Sequence, residues 1–359
     1  MVVSRAVIER EEGDGRTVVG DVLPHAVGYA EISTLFGMHY DELRAEHAAR
    51  SAPGLLAIAF DLGSALITSK LWTKTRPDAI NAITVGRHRE CDVCLPKDPS
   101  ISLRHLAVVA HPFDPAGDRH VSFRILDLRT NLAFADCFGQ RMQGVIADGA
   151  AIFTIGRYVL LLLPTGDGTR LPESSDVGFS SIADPVYLDP QGRRPVVSGI
   201  TELRPEGQGQ APANTNDSAH DDGGMHRTSL SVIEGPTRAS AGLLGSAEEP
   251  LGTLEISAEG HSRKLVVGGR AASQGLLLGC YDRCDDDRLS HLKHHSISRV
   301  HLLIWLHGET LYAIDTASTN GTFVHRDRKR VRARLIRLAN GLEVVLADDR
   351  ARLIWRSLD

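Results

Sequence analysis

Two stretches of this chain, residues 51–165 and 251–359, consist of short apolar runs broken every few residues by Gly, Pro, Asp or Asn. That texture constrains the fold more than any other feature of the sequence. In the first stretch the runs are Leu55–Phe60, Ile83–Val85, Leu106–Ala110, Val121–Leu126, Ala151–Ile155 and Tyr158–Leu163. In the second they are Leu254–Ile256, Lys264–Val267, Leu276–Leu278, Val300–Leu306, Thr310–Ile314, Thr322–Val324, Leu342–Leu346 and Arg352–Trp355. Many short β-branched or aliphatic runs with turn residues at this spacing predict an all-β chain of two β-sandwiches. His307-Gly308-Glu309 is a hairpin turn between two of the strands.

The text outside these stretches differs. Residues 166–250 are rich in Gly, Pro, Ser, Asp and Asn, and residues 205–224 hold almost nothing to bury. Such a segment cannot offset the entropy of ordering, so a flexible linker is expected. Residues 1–50 form a polar leader. Within it Ile32–Ala49 has the spacing of a peripheral helix, with Ser33 as N-cap and Leu35, Met38 and Leu43 on one face.

Composition narrows the function classes. The net charge of −5 argues against a nucleic-acid partner. Five cysteines are an odd number for a disulfide framework. The run Tyr158–Leu163 is too short to span a bilayer, and Glu9, Glu11, Glu12 and Asp14 do not suit a secretory signal, so a cytoplasmic protein with no membrane partner is expected.

The two β regions also share an order of landmarks. The first has Val85-Gly86-Arg87, then Ser102-Leu103-Arg104-His105, then Asp127-Leu128-Arg129-Thr130-Asn131, closing on Ile155-Gly156-Arg157. The second has Leu278-Gly279-Cys280, then Ser298-Arg299-Val300-His301, then Asp315 to Thr322 with Ser318-Thr319-Asn320-Gly321. This order resembles the forkhead-associated (FHA) family: Gly-Arg at a strand end, Ser-x-x-His in the next loop, and a Ser-Thr-Asn-Gly turn.

The resemblance implies two FHA modules in tandem, each a β-sandwich that presents binding loops at one end and reads phosphothreonine. A phosphothreonine carries nearly two negative charges and three acceptor oxygens, so its receptor needs a strong cation and several short donors. By resemblance Arg87 is the charged donor, Ser102 and Thr130 give hydroxyls to the phosphate, and Asn131 holds the peptide backbone. In the second region Ser298, Arg299, Thr319 and Asn320 match the same motif. His105 and His301 are expected to fix loop shape, and Gly86, Gly279 and Gly321 to serve tight turns.

Each region departs from the pattern. The first has Leu103 where the family has Arg or Asn, and Leu132 where it has Gly. The second has Cys280 in place of the Arg, followed by an acidic run, Asp285 to Asp287. Arg283, Arg288 or Lys293 are candidate substitutes for the cation, and the first region is expected to be the better phosphate binder.

Cys91-x-x-Cys94, and Cys280-x-x-x-Cys284 with His291, His294 and His295, are partial metal signatures outweighed by the family match, so no metal and no cofactor are expected. No nucleotide-binding or hydrolase motif is present, and the chain is not expected to be an enzyme. The expected function is an adaptor in Ser/Thr protein kinase signalling that binds phosphothreonine-containing proteins. Thr201, Thr215, Thr228 and Thr237 are candidate phosphorylation sites for an intramolecular switch. A second reading stands beside it: a phosphorylation-independent scaffold with degenerate modules in a larger assembly such as a secretion machine.

Overall fold

In the first β region, strands that are apolar along almost their whole length are buried on both faces. Gly54–Asp61 and Tyr158–Thr165 pair antiparallel, and no residue of either is exposed. Strand side chains alternate in direction, so Leu55, Ala57 and Ala59 enter the sandwich core while Leu56, Ile58 and Phe60 point the other way. That second face needs a cover, and the leader supplies it.

The computed structural model describes residues 28–115, 121–166, 169–188, 228–238, 250–284, 292 and 294–358. Helix α1 (Tyr29–Ala48) lays Ile32, Leu35, Phe36, Tyr40 and Leu43 on the outer face of the sheet. Helix α2 (Ser175–Ala183) packs beside it through Phe179 and Ile182, with the Phe36 and Phe179 rings 5.4 Å apart. The Tyr40 hydroxyl donates to the Pro172 carbonyl at 2.5 Å. The expected peripheral helix is therefore part of a core. It starts three residues before the expected Ile32 start, Gly28 rather than Ser33 is its N-cap, and Met38 faces solvent at 65% exposure.

The first domain is a sandwich of two sheets. One runs Leu66–Lys74, Gly54–Asp61, Tyr158–Thr165, Ala151–Ile155, Phe134–Ala135 and Arg141–Met142. The other runs Val186–Leu188, Ser229–Ile233, Gly144–Asp148, Ser122–Asp127, Leu106–Ala110, Asn81–Gly86 and Val93–Cys94. The second domain repeats the plan. One sheet orders Thr237–Arg238, Leu276–Leu278, Leu302–His307, Thr310–Asp315 and Leu335–Arg337; the other orders His261–Gly268, Pro250–Ala258, Ala351–Ser357, Glu343–Leu346, Thr322–Arg326 and Lys329–Arg332. The fold is all-β in two domains, as expected.

The span 166–250 departs from the expected linker. Besides α2 it adds Val186–Leu188 and Ser229–Ile233 to the first domain and Thr237–Arg238 to the second. The reason is local: Leu230 and Val232 extend the apolar face of the sheet edge they pair with. Residues 205–224 lie outside the described residues.

The two domains meet sheet to sheet. Leu106–Ala110 and the start of Leu302–His307 are buried on both faces, unlike the alternating pattern of a sandwich with one wet side. Ala107, Val109, Leu126 and Leu128 pack against Leu277, Leu303, Trp305 and Ile314. By the landmarks, Ala107 corresponds to Leu303 and Val109 to Trp305, so the interface is pseudo-symmetric, like that of a two-fold dimer. Trp305 is its centre: its indole N–H and the Arg124 guanidinium both donate to the Ser273 carbonyl, at 3.1 and 2.6 Å, and Arg124 lies over the indole ring. Burial pulls Arg124 down to about 10.

Truncating Trp305→Ala removes the anchor of this contact and should cost roughly 3–5 kcal/mol. The expected outcome is a larger radius of gyration in small-angle scattering and two resolved thermal transitions where the parent shows one. An unchanged scattering profile would mean that the sheets are held by something else.

Candidate functional site

Each Ser-x-x-His loop is pinned by its own histidine. The Ser102 amide donates to His105 Nδ1 at 3.2 Å, and His105 Nε2 bonds the Leu132 carbonyl at 2.7 Å. In the second domain the Ser298 amide donates to His301 Nδ1 at 3.2 Å, and Nε2 bonds the Gly321 carbonyl at 3.3 Å. With Nδ1 accepting, the single ring proton sits on Nε2 and donates. Burial pushes both imidazoles down to about 4, which keeps them neutral near pH 7.

Gly86 and Gly279 do not serve turns as expected; neither has a positive φ. A Cβ on Gly86 would stand 2.5 Å from the Leu103 carbonyl oxygen, and one on Gly279 would collide with the Arg299 carbonyl. Glycine is required there because the strand passes against the Ser-x-x-His loop. Gly321, at φ 79°, does serve a turn.

Arg87 sits where that close approach ends. Its amide donates to the Ser102 carbonyl at 3.0 Å and its Nε to the Ile101 carbonyl at 3.1 Å. The Cys280 amide makes the same bond to the Ser298 carbonyl at 3.1 Å, so a thiol stands where the first domain has a guanidinium.

The turn after the next strand changes the correspondence between the domains. The Thr130 amide and hydroxyl donate to the two oxygens of Asp127, at 2.6 and 2.8 Å. Ser318 does the same to Asp315, and Arg129 and Ala317 share a left-handed backbone at φ 58° and 64°. Thr130 is thus the counterpart of Ser318, Asn131 of Thr319, and Leu132 of Asn320. The sequence match was one residue out of register because it was aligned on Thr-Asn rather than counted from the aspartates. The Thr130 hydroxyl is committed to fixing the turn, and burial lifts Asp127 to about 6.

Arg87, Ser102, Thr130 and Asn131 line one cleft of about 200 Å³. Tyr281, Arg283 and Arg299 of the second domain line it too. Arg299 therefore faces the first domain's site rather than joining Ser298 and Thr319 in its own. Those two hydroxyls are taken by Arg104, a buried side chain of the first domain. Its guanidinium donates to the Ala317 carbonyl at 2.7 and 3.0 Å, to Ser298 Oγ at 3.1 Å and to Thr319 Oγ1 at 3.3 Å. Asn320 donates to the Ser296 carbonyl at 2.7 Å.

Sequence reasoning missed Arg104 and Tyr281. The signal for Arg104 was present: Leu103-Arg104 in one loop reads Arg299-Val300 in the other, so charged and apolar residues have changed places.

The remaining candidates separate. Thr228 is fully buried and Thr237 lies in a strand, while Thr201 and Thr215 lie outside the described residues, as do Asp285 to Asp287, Arg288, His291 and Lys293. The Cys91 and Cys284 thiols donate to the Leu103 and Arg299 carbonyls at 3.3 and 3.2 Å. Among the described residues no three His, Cys, Asp or Glu side chains gather as for a metal, and no helix is long and apolar enough to cross a membrane.

Residues 269–347 match the family model of the FHA domain, so the second region contains an FHA domain. FHA domains are phosphothreonine-binding protein-interaction modules without catalytic machinery. No curated protein matches the sequence. Solved structures similar to the chain include the FHA-1 domain of Mycobacterium tuberculosis Rv1747, at 24% identity over 30% of this chain and 99% of that one, TM-score 0.22. The FHA domain of the Chlamydia trachomatis CT664 protein matches at 19% identity over 31% and 96%, TM-score 0.24. The yeast Dun1 FHA domain, in complex with a doubly phosphorylated (pT) peptide, matches at 19% over 34% and 84%, TM-score 0.26.

The pinned histidines give the fold a pH dependence of definite sign. Unfolded imidazoles bind protons near 6.5, whereas His105 and His301 resist until about 4 and His111, also buried, until about 3. Acidification therefore loads the unfolded state first, and stability is lost as pH falls below about 6.5. Asp127 opposes this, since its raised value loads the folded state first, but it stands against these three and against His47, His88 and His307, which burial also pulls down. Scanning calorimetry should show the melting temperature falling by roughly ten degrees between about pH 7 and about pH 5. A flat profile would contradict neutral, Nδ1-accepting rings.

Proposed function

We propose that this chain is a phosphothreonine-dependent protein-binding adaptor in cytoplasmic Ser/Thr kinase signalling, that both β regions are FHA modules, and that the first carries the working pocket. The observation behind this reading is the contrast between the two loops. Arg87 and Ser102 open into a cleft, whereas Ser298 and Thr319 are hydrogen-bonded to Arg104.

In this reading the Arg87 guanidinium supplies charge-assisted hydrogen bonds to the phosphate and Ser102 a hydroxyl. Asn131 replaces the hydroxyl that Thr319 holds in the second domain, adding an amide that both donates and accepts. Thr130 acts indirectly, by fixing the turn that presents Asn131. Phosphothreonine is the product of a Ser/Thr kinase, so the partner is a kinase substrate or a kinase that has phosphorylated itself. The second module supports the scaffold reading for its own half of the chain: with its hydroxyls engaged by Arg104, it docks on a folded protein, the first domain, without any phosphate.

Calorimetric titration of the full chain with a degenerate phosphothreonine peptide library, its unphosphorylated twin and a phosphoserine version tests the proposal. Binding should require the phosphate, weaken about 100-fold in Arg87→Ala and about tenfold in Ser102→Ala. Equal affinity for the phosphorylated and unphosphorylated libraries would leave the scaffold reading alone.

A further inference from the structure

We propose that the second domain completes the first domain's pocket, so that the two domains together form one receptor for a phosphothreonine peptide with acidic flanking residues. This rests on the phosphopeptide reading above and names the class of peptide that the same site takes.

The pocket holds more positive charge than one phosphate needs. Five arginines line it, Arg87, Arg104 and Arg129 from the first domain and Arg283 and Arg299 from the second, and among the described residues no carboxylate does. Arg104 is spent on the second domain's loop. Arg87, Arg283 and Arg299 form no ion pair with any described residue, so their charges are not cancelled by salt bridges there. A cleft lined by one sign of charge concentrates the field and draws in the opposite sign. A single phosphothreonine brings at most two negative charges, which Arg87 with one neighbour neutralises. The surplus is matched by carboxylates beside the phosphothreonine.

The position of the second domain's arginines fits this role. The first domain has Leu103 after its motif serine; the second has Arg299 at that position, and Arg299 projects to the first domain's cleft. The domain that lost the motif arginine at Cys280 thus supplies a different one across the interface. Arg283 reaches further in. One of its nitrogens donates to the Arg129 carbonyl at 2.7 Å and another to the Asn131 side-chain oxygen, and the guanidinium lies 5.2 Å over the Tyr281 ring. A guanidinium that already touches Asn131 stands within one residue's reach of a peptide laid along Asn131. Planar guanidinium groups suit bidentate pairing with carboxylates, which sets the chemistry of the flanks.

The test uses the full chain and two phosphothreonine libraries, one with neutral degenerate flanks and one with flanks enriched in Asp and Glu. Wild type should bind the acidic library about tenfold more tightly. The double variant Arg283→Gln, Arg299→Gln should bind both libraries alike while still requiring the phosphate. Arg87→Gln should lose phosphate dependence, which keeps failure of the pocket distinct from failure of the cross-domain contribution. Arg334→Gln serves as the control for loosened docking, because Arg334 pairs with Asp92 and the Glu90 carbonyl elsewhere in the interface. It should keep the acidic preference. The proposal is overturned if wild type shows no acidic preference, if the double variant retains it, or if Arg334→Gln abolishes it equally. No phosphate-dependent binding by wild type would overturn both this proposal and the reading it rests on.

Discussion

A guanidinium taken out of water must have its donors matched, and the hydrogen bonds that the Arg104 Nε and Nη2 donate all go to the other domain. Its acceptors are a carbonyl, at Ala317, and two hydroxyls. Ala317 holds a left-handed backbone, which turns that carbonyl toward the first domain. The contact needs both turns in place: the Asp315–Ser318 turn that aims the carbonyl, and the His105-pinned loop that carries Arg104. Either domain alone would leave part of the set uncompensated, so the two loop ends are built for one relative placement.

That placement is continued by apolar packing. Two sheets whose outer faces carry Ala107, Val109, Leu303 and Trp305 would expose a continuous hydrophobic patch if separated. Because the sheets carry the motif loops at the same end, stacking them face to face with pseudo-two-fold symmetry brings the two loop sets together. The symmetry breaks where charge enters. Arg104 passes from first to second, Arg299 and Arg283 from second to first, and each lands at the other domain's motif loop.

Much of this was legible in the sequence, and the limits have identifiable causes. Apolar runs marked the central strands, because a strand buried on both faces shows no alternation to misread. Leu66–Lys74 and Lys329–Arg332 escaped because their side chains are largely polar and half-exposed or exposed, and pairing with a neighbour rather than burial defines them. The leader helix was placed within a few residues, but its weight in the core was not, since nothing local says that a strand's second face is waiting for cover. Arg87 and Ser102 were placed by the family resemblance, and they line one cleft. Thr130 and Asn131 were set one position out because Thr-Asn is a stronger visual match than the aspartate that organises the turn.

The cross-domain contribution was the least legible part, for a physical reason. A motif lists what one domain offers to its own pocket, and Leu103 and Cys280 read there as losses. Through the interface they are exchanges: the first loop carries its arginine one residue later, where it reaches the partner, and the second keeps its arginine at the usual place but turns it outward. Two motifs that are each incomplete are therefore compatible with one pocket rich in cations. The interface decides which loop each guanidinium faces, so the recognition chemistry proposed for this chain belongs to the pair of domains.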